Sequence, residues 1–425
     1  LVFNQIHDGI PVWNARVDFR YRLNGDIILI GNDGFPDLNI NTTAAISSNQ
    51  AIINGQMEID FNEDRNDYIV KAPEQFIWVN KSSQPEYHLS WLVELYVHST
   101  NTNDELPVHY WKIFIDAHSG EILEKLDIAK SALISGFVTG NVKDEPYGLE
   151  TSRGIPNVEV EISGVGSTYT DLEGYYTIDI GESNRTATIR LEGNYLNTNN
   201  QNGSDAQISR TVVPGNVEDF HFSNTNSYSG ERDTYFHGNV IHTLVKSIHP
   251  SFNGVDYQMP AYVNINDNCN AYWDGYSINM YSAGGGCAAT DQMADVVYHE
   301  YGHGIQQNMY SPYDAPFYTG LGEGCADYWA MTIVNSPCLG NGFFGPGSCL
   351  RDGENLRQYP GNDCGGQVHC LGEITMGATW KMRENLITTL GYDQGVEQAD
   401  MVFYFGQAGR PYSEPDLLEE ILIAD

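Results

Sequence analysis

The sequence predicts an α+β multidomain chain. A strand-rich part spans residues 1–128, a small β-sandwich 129–215, and a more helical part 216–425. Three observations carry this. Apolar residues alternate with polar ones in the first two blocks, the period of half-buried strands. In the third block they recur every three to four residues, the period of helices. All seven cysteines (Cys269, Cys287, Cys325, Cys338, Cys349, Cys364 and Cys370) also fall in that last block.

In the first block Leu89, Trp91, Val93, Leu95 and Val97 alternate with His88, Ser90, Glu94 and His98. Trp111, Ile113 and Ile115 mark a second such run, and each run predicts a strand with one buried face. His7, His88, His98, His109 and His118 are scattered and read as structural residues. In the second block Ile155–Ile162 and Tyr169–Ile178 alternate between Gly, Asn and Asp turns, which predicts the sandwich. Its Asn-rich stretch 197–204 reads as a loop. The block holds no His or Cys and is assigned no chemistry. In the third, Tyr235, Phe236, Val240, Leu244 and Val245 predict a helix.

Charge narrows the function. The 425 residues hold 21 Lys and Arg against 56 Asp and Glu, a net charge of −35. That repels polyanions, so nucleic acid and anionic membrane surfaces are excluded as partners. No apolar run approaches the ~18 residues of a membrane span. A hydrophobic content of 41% is enough for a packed core. The chain begins at Leu1, which reads as a processed form of something longer. No Lys or Arg occurs between Lys246 and Arg351, although acidic residues are dense there.

That acidic stretch carries the decisive motif, Asp295-Val296-Val297-Tyr298-His299-Glu300-Tyr301-Gly302-His303. On a helix His299 and His303 project from one face, a spacing that suits two imidazoles on one zinc ion. Glu300 lies beside them, placed to take a proton from water activated at the metal. A catalytic zinc needs a third protein ligand and an open position. Glu323, in Gly322-Glu323-Gly324-Cys325-Ala326-Asp327, supplies the ligand, and Asp327 one turn later can hold a ligating histidine's other N–H. Cysteines left over from metal binding suggest disulfides and an oxidising, extracellular compartment. Proximity pairs Cys269 with Cys287, Cys338 with Cys349 and Cys364 with Cys370, leaving Cys325 free and buried.

HEYGH followed by GEGCAD resembles the fungalysin family and its thermolysin-like relatives. Asn270-Ala271-Tyr272-Trp273 resembles the edge strand on which those enzymes lay a peptide. Gly366-Gln367-Val368-His369-Cys370 resembles the segment whose histidine stabilises the transition state. The resemblance implies a two-lobed catalytic domain with a zinc-binding helix, ligands His299, His303 and Glu323, and general base Glu300. It implies His369 facing the oxyanion, Asp363 holding that histidine protonated, and Asn270 with the Ala271 carbonyl aligning the substrate. Arg351 is favoured over Arg357 as the arginine that grips the substrate carbonyl. Tyr310, Tyr313 and Tyr318 compete for the tyrosine near the oxyanion. Asp295 matches a calcium ligand, so Ca2+ is a further candidate beside one catalytic Zn2+.

Upstream, Gln5-Ile6-His7-Asp8-Gly9-Ile10-Pro11 and the run ending Ile115-Asp116-Ala117-His118-Ser119-Gly120-Glu121 resemble the FTP/PepSY propeptide of these proteases. That implies a cystatin-like α+β propeptide over 1–128, acting as an intramolecular inhibitor. Residues 129–215 are similar to carboxypeptidase-regulatory-like sandwiches. The chain as a whole then reads as a secreted zinc metalloendopeptidase, a latent zymogen acting on protein and peptide substrates. Two other classes stand against it: a catalytically silenced binding protein on a protease fold, and an adhesive surface protein.

Overall fold

A computed structural model describes residues 2–21, 27–36, 38–80, 85–98, 108–128, 133–181, 183–316 and 318–425. The boundary at 129 lies outside those residues. The chain divides into two compact units, Leu1–Leu133 with Asp179–Asn184, and Ile134–Ile178 with Arg185–Asp425.

The first unit is one mixed sheet with a helix. Its strands run Val2–His7, Ile10–Tyr21, Glu74–Asn80, Glu86–His98, Val108–Asp116 and Ile122–Asp127 in spatial order. Helix α1, Ser48–Glu58, starts at Ser47, whose hydroxyl accepts from the Gln50 N–H. Ala51 of α1 packs with Val93, Leu95, Val97, Ile113 and Ile115. The strand Glu86–His98 was expected to bury one face, but it buries both, Ser90, Leu92 and Glu94 included. Its second face is closed because Leu92 lies opposite Phe114, whose ring meets Trp13 at 4.8 Å. Histidines of this unit pair with carboxylates, His88 with Asp116 at 2.8 Å and His109 with Asp127 at 2.6 Å.

In the second unit the middle block forms short strands, some of which pair with strands of the block that follows. One sheet runs Gly166–Tyr169, Val158–Ile162, Arg185–Gly193, Leu196–Asn200, Met259–Ile265, Ile278–Tyr281 and Ala271–Trp273 in spatial order. Leu196–Asn200 and Met259–Ile265 pair in parallel, from Leu196 opposite Met259 to Asn200 opposite Val263. The Asn-rich stretch expected as a loop therefore opens as a strand. The ladder supplies its backbone partners, and Thr198 turns its hydroxyl inward to the Leu191 carbonyl at 2.9 Å. A smaller sheet joins Thr151–Gly154, Leu133–Val142, Tyr175–Asp179 and Phe220–Phe222.

Six helices follow: α2 Ser229–Ile248, α3 Ala294–Tyr310, α4 Gly320–Val334, α5 Val368–Leu390, α6 Tyr392–Ala408 and α7 Glu414–Ala424. The expected 235–245 helix lies inside α2. Its buried face is unusually polar and holds Glu231, Arg232, Asp233, His237 and His242. Arg232 is satisfied there by the carbonyls of Asn141 at 2.6 Å and Ser227 at 3.0 Å and by Glu150 at 3.1 Å. Helix α3 is buried along almost its whole length. Glycines let its neighbours approach: a Cβ on Gly302 would stand 3.1 Å from Ala326 Cα, and one on Gly372 only 2.7 Å from Glu323 Cβ. No described helix is long and apolar enough to cross a membrane. The three disulfides pair as proximity predicted, and Cys325 is free and buried.

Candidate metal centre

Helix α3 carries His299 and His303 one turn apart, and their Nε2 atoms lie 3.2 Å from each other. Helix α4 is started by Thr319, whose hydroxyl accepts from Gly322 N–H, and so presents Glu323 in its first turn. Glu323 Oε2 lies 3.3 Å from His299 Nε2, and Oε1 lies 3.9 Å from His303 Nε2. Among the described residues these three form the one grouping of at least three His, Cys, Asp or Glu side chains able to hold a metal, all buried, with donor atoms within 4.8 Å of one another. Glu323 Oε2 is buried and has no hydrogen-bond partner of good geometry. Two imidazoles and a carboxylate converging around such an oxygen fit a zinc ion and leave a fourth position for water or substrate.

Asp327, one turn beyond Glu323, accepts from His299 Nδ1 at 2.8 Å. The same carboxylate takes Arg351 on both oxygens, Nη2 to Oδ1 at 2.6 Å and Nε to Oδ2 at 3.0 Å. Burial opposes the charge, yet Arg351 and His299 hold Asp327 well below the usual carboxylate range. Glu300 sits beside the ligands at 5% exposure. Burial raises its carboxyl to about 7, Glu323 adding to the rise and His299 opposing it.

A cleft of about 420 Å3 opens over these groups. Asn270 and Ala271 line one side, and the strand Ala271–Trp273 is the exposed end of the sheet. Val296, Leu339, Phe343 and Leu350 form an apolar wall, with His299, Glu300, Arg351 and His369 also at the surface of the cleft. His369 Nε2 stands 3.4 Å from Glu323 Oε2. Of the residues picked out from sequence, His299, His303, Glu323, Glu300, Asp327, His369, Asn270, Ala271 and Arg351 come together here.

Asp363 does not join them. Its carboxylate binds Arg357 Nη1 at 2.6 Å, and His369 Nδ1 instead meets Gln367 Nε2 at 2.9 Å. Arg357 is bound to Glu373 and Asp363, whereas Arg351 lines the cleft. Tyr318 reaches the hollow beside the ligands. Tyr310 is buried against the Pro411 carbonyl, and Tyr313 lines a different hollow with Gln307 and Asn308. Asp295 is buried and held by the backbone N–H groups of Val296 at 2.8 Å and Asn341 at 2.9 Å, and among the described residues it belongs to no group of three side chains able to hold a metal. Gln367 and the 339–344 wall escaped sequence reasoning. The one available signal was that Gln367 precedes a helix.

Taken together, the helix-borne histidines, the glutamate of the next helix and the cleft beside an edge strand define a metal-dependent hydrolase type of centre. Comparison with known proteins finds similarity only at a distance. The chain is 21% identical over 410 residues to bacillolysin of Brevibacillus brevis, covering 89% of this chain and 68% of that protein. A solved structure described as the precursor of protealysin, a metalloproteinase from Serratia proteamaculans, matches 50% of this chain and 74% of its own at 16% identity, with a TM-score of 0.39. No family model matches the chain. At 21% identity the bacillolysin likeness is a distant one.

Proposed function

We propose that the chain is a secreted zinc endopeptidase of the fungalysin and thermolysin type, carrying residues 1–128 as an inhibitory propeptide. The observation that carries this is the convergence of His299, His303 and Glu323 within 4.8 Å, with Glu300 buried beside them. Zinc held by those three would supply Lewis acidity, polarising the scissile carbonyl and easing the deprotonation of water.

The chain's own residues do the rest. Glu300 takes the proton of the attacking water and returns it to the leaving nitrogen, and burial of its carboxyl favours taking up that proton. His369 donates from Nε2 to the oxygen on which charge develops. Arg351, clamped by Asp327, turns its remaining donors toward the substrate carbonyl. Asn270 and the Ala271 main chain add the peptide to the edge strand. The wall of Val296, Leu339, Phe343 and Leu350 favours an apolar side chain beside the scissile bond. Three disulfides suit an extracellular setting. A silenced binding protein would be expected to lose a ligand or the base, and all four are present.

The test is casein hydrolysis by the full chain, before and after limited proteolysis, with Glu300→Gln in parallel. Wild type should be active, lose activity to a chelator and regain it with zinc. Glu300→Gln should bind zinc normally yet lose roughly 10²–10⁴-fold in rate. Equal rates in the two proteins would sink the mechanism, and equal wild-type rates before and after proteolysis would sink the latency.

A further inference from the structure

Gln367 and His369 lie in a small ring closed by the Cys364–Cys370 disulfide, at the start of α5. The Gln367 side chain caps that helix, its Oε1 accepting from the Cys370 N–H at 2.5 Å. A backbone N–H can only donate, so the amide oxygen must be the end that faces it. The amide NH2 is therefore the end that faces His369, with Nε2 and Nδ1 2.9 Å apart. An amide NH2 can only donate, so Nδ1 must accept, and a neutral imidazole that accepts at Nδ1 carries its proton on Nε2. That Nε2 is the atom 3.4 Å from Glu323 Oε2, over the metal ligands.

We propose that Gln367 is a positioning residue, presenting His369 to the cleft as a neutral Nε2–H donor. The helix cap and the disulfide ring fix the amide, and the amide fixes the tautomer. No carboxylate is needed behind the histidine, which agrees with Asp363 being bound to Arg357 instead. The oxyanion donor is thus set before substrate arrives, by an amide rather than a carboxylate. This rests on the peptidase reading above, and its test is chosen to fail separately.

The primary measurement is a nitrogen NMR spectrum of the zinc-loaded full chain with labelled histidine, at mildly alkaline pH. His369→Ala identifies the signals. The proposal expects a bare Nδ1 and a protonated Nε2 at His369; a protonated Nδ1 overturns it. Kinetics add the second arm. Gln367→Met should lower kcat about tenfold, with KM and zinc content unchanged, because the donor is lost from alignment rather than the substrate from its site. Unchanged kcat, or a loss explained by lost zinc, also overturns it. Should Gln367→Met fail to fold, the wild-type spectrum alone decides. A zinc-loaded wild type that cleaves no peptide would defeat the peptidase reading, while the spectrum would still judge the tautomer.

Discussion

Asp327 is the residue on which most of the centre's charge balance turns. Fully buried, it orients His299 through one oxygen and neutralises Arg351 through both. Asp327→Asn keeps the shape and removes the charge, so His299 loses its anionic partner and Arg351 is left buried without one. Zinc affinity should fall by about ten- to a hundredfold, measured by competition against a chromogenic chelator. An unchanged affinity would mean that Asp327 serves folding alone. At this scale the ligands were legible in the sequence, because two histidines one helical turn apart are a pattern of the helix itself. Partners were less legible. Arg351 meets Asp327 across 24 positions, and the role of Asp363 came only from the family resemblance. Arg357, six residues before Asp363, takes that carboxylate. Gln367 acts over two residues inside a disulfide ring, and no periodicity marks such a contact.

At the scale of elements, α4 and α5 set the distance between Glu323 and His369. They meet at glycines: a Cβ on Gly372 would lie 2.7 Å from Glu323 Cβ and 3.1 Å from Gly324 N, and one on Gly324 would lie 2.5 Å from the Gly372 carbonyl. None of these atoms is the end of a flexible side chain, so added bulk must slide one helix along the other. Gly372→Ala should cost about 1–3 kcal/mol, read as a lower Tm, and should also weaken zinc binding because Glu323 is displaced. A lower Tm with intact zinc affinity would show that the helix contact does not position the ligand. Helix α2 was legible from its apolar spacing, whereas the partnership of the β-elements was not. Alternation identifies a strand but is silent on its neighbours. The parallel pairing of Leu196–Asn200 with Met259–Ile265 joins segments some sixty residues apart, a contact that no local pattern marks. Polar asparagines hid that strand, since their backbone rather than their side chains makes the ladder.

Across the whole molecule, acidity is partly internal. Beneath α2, Glu231, Asp233 and Asp291 are fully buried, and burial raises all three, Asp291 to about 7. Asp291 accepts from the Asn264 N–H at 2.8 Å and lies 3.3 Å from the Tyr228 hydroxyl, with Glu231 adding like charge. An acid raised on folding holds its proton in the native state over a range where the unfolded chain has released it. Its contribution to stability is therefore fully present below the ordinary carboxylate value near 3.8 and is lost as pH rises through about 7. Asparagine cannot ionise, yet its side chain can still accept from Asn264 and donate to Tyr228. The Tm of Asp291→Asn, relative to wild type, should thus move in the variant's favour as pH is raised from about 4 to about 8, followed by calorimetry on the zinc-loaded chain. A Tm difference that stays constant over that range would mean that Asp291 is ionised in the folded protein, its charge balanced by its hydrogen-bond donors. Comparing two proteins with the same candidate metal centre removes that centre's own pH dependence, so the slope reports on this buried acid.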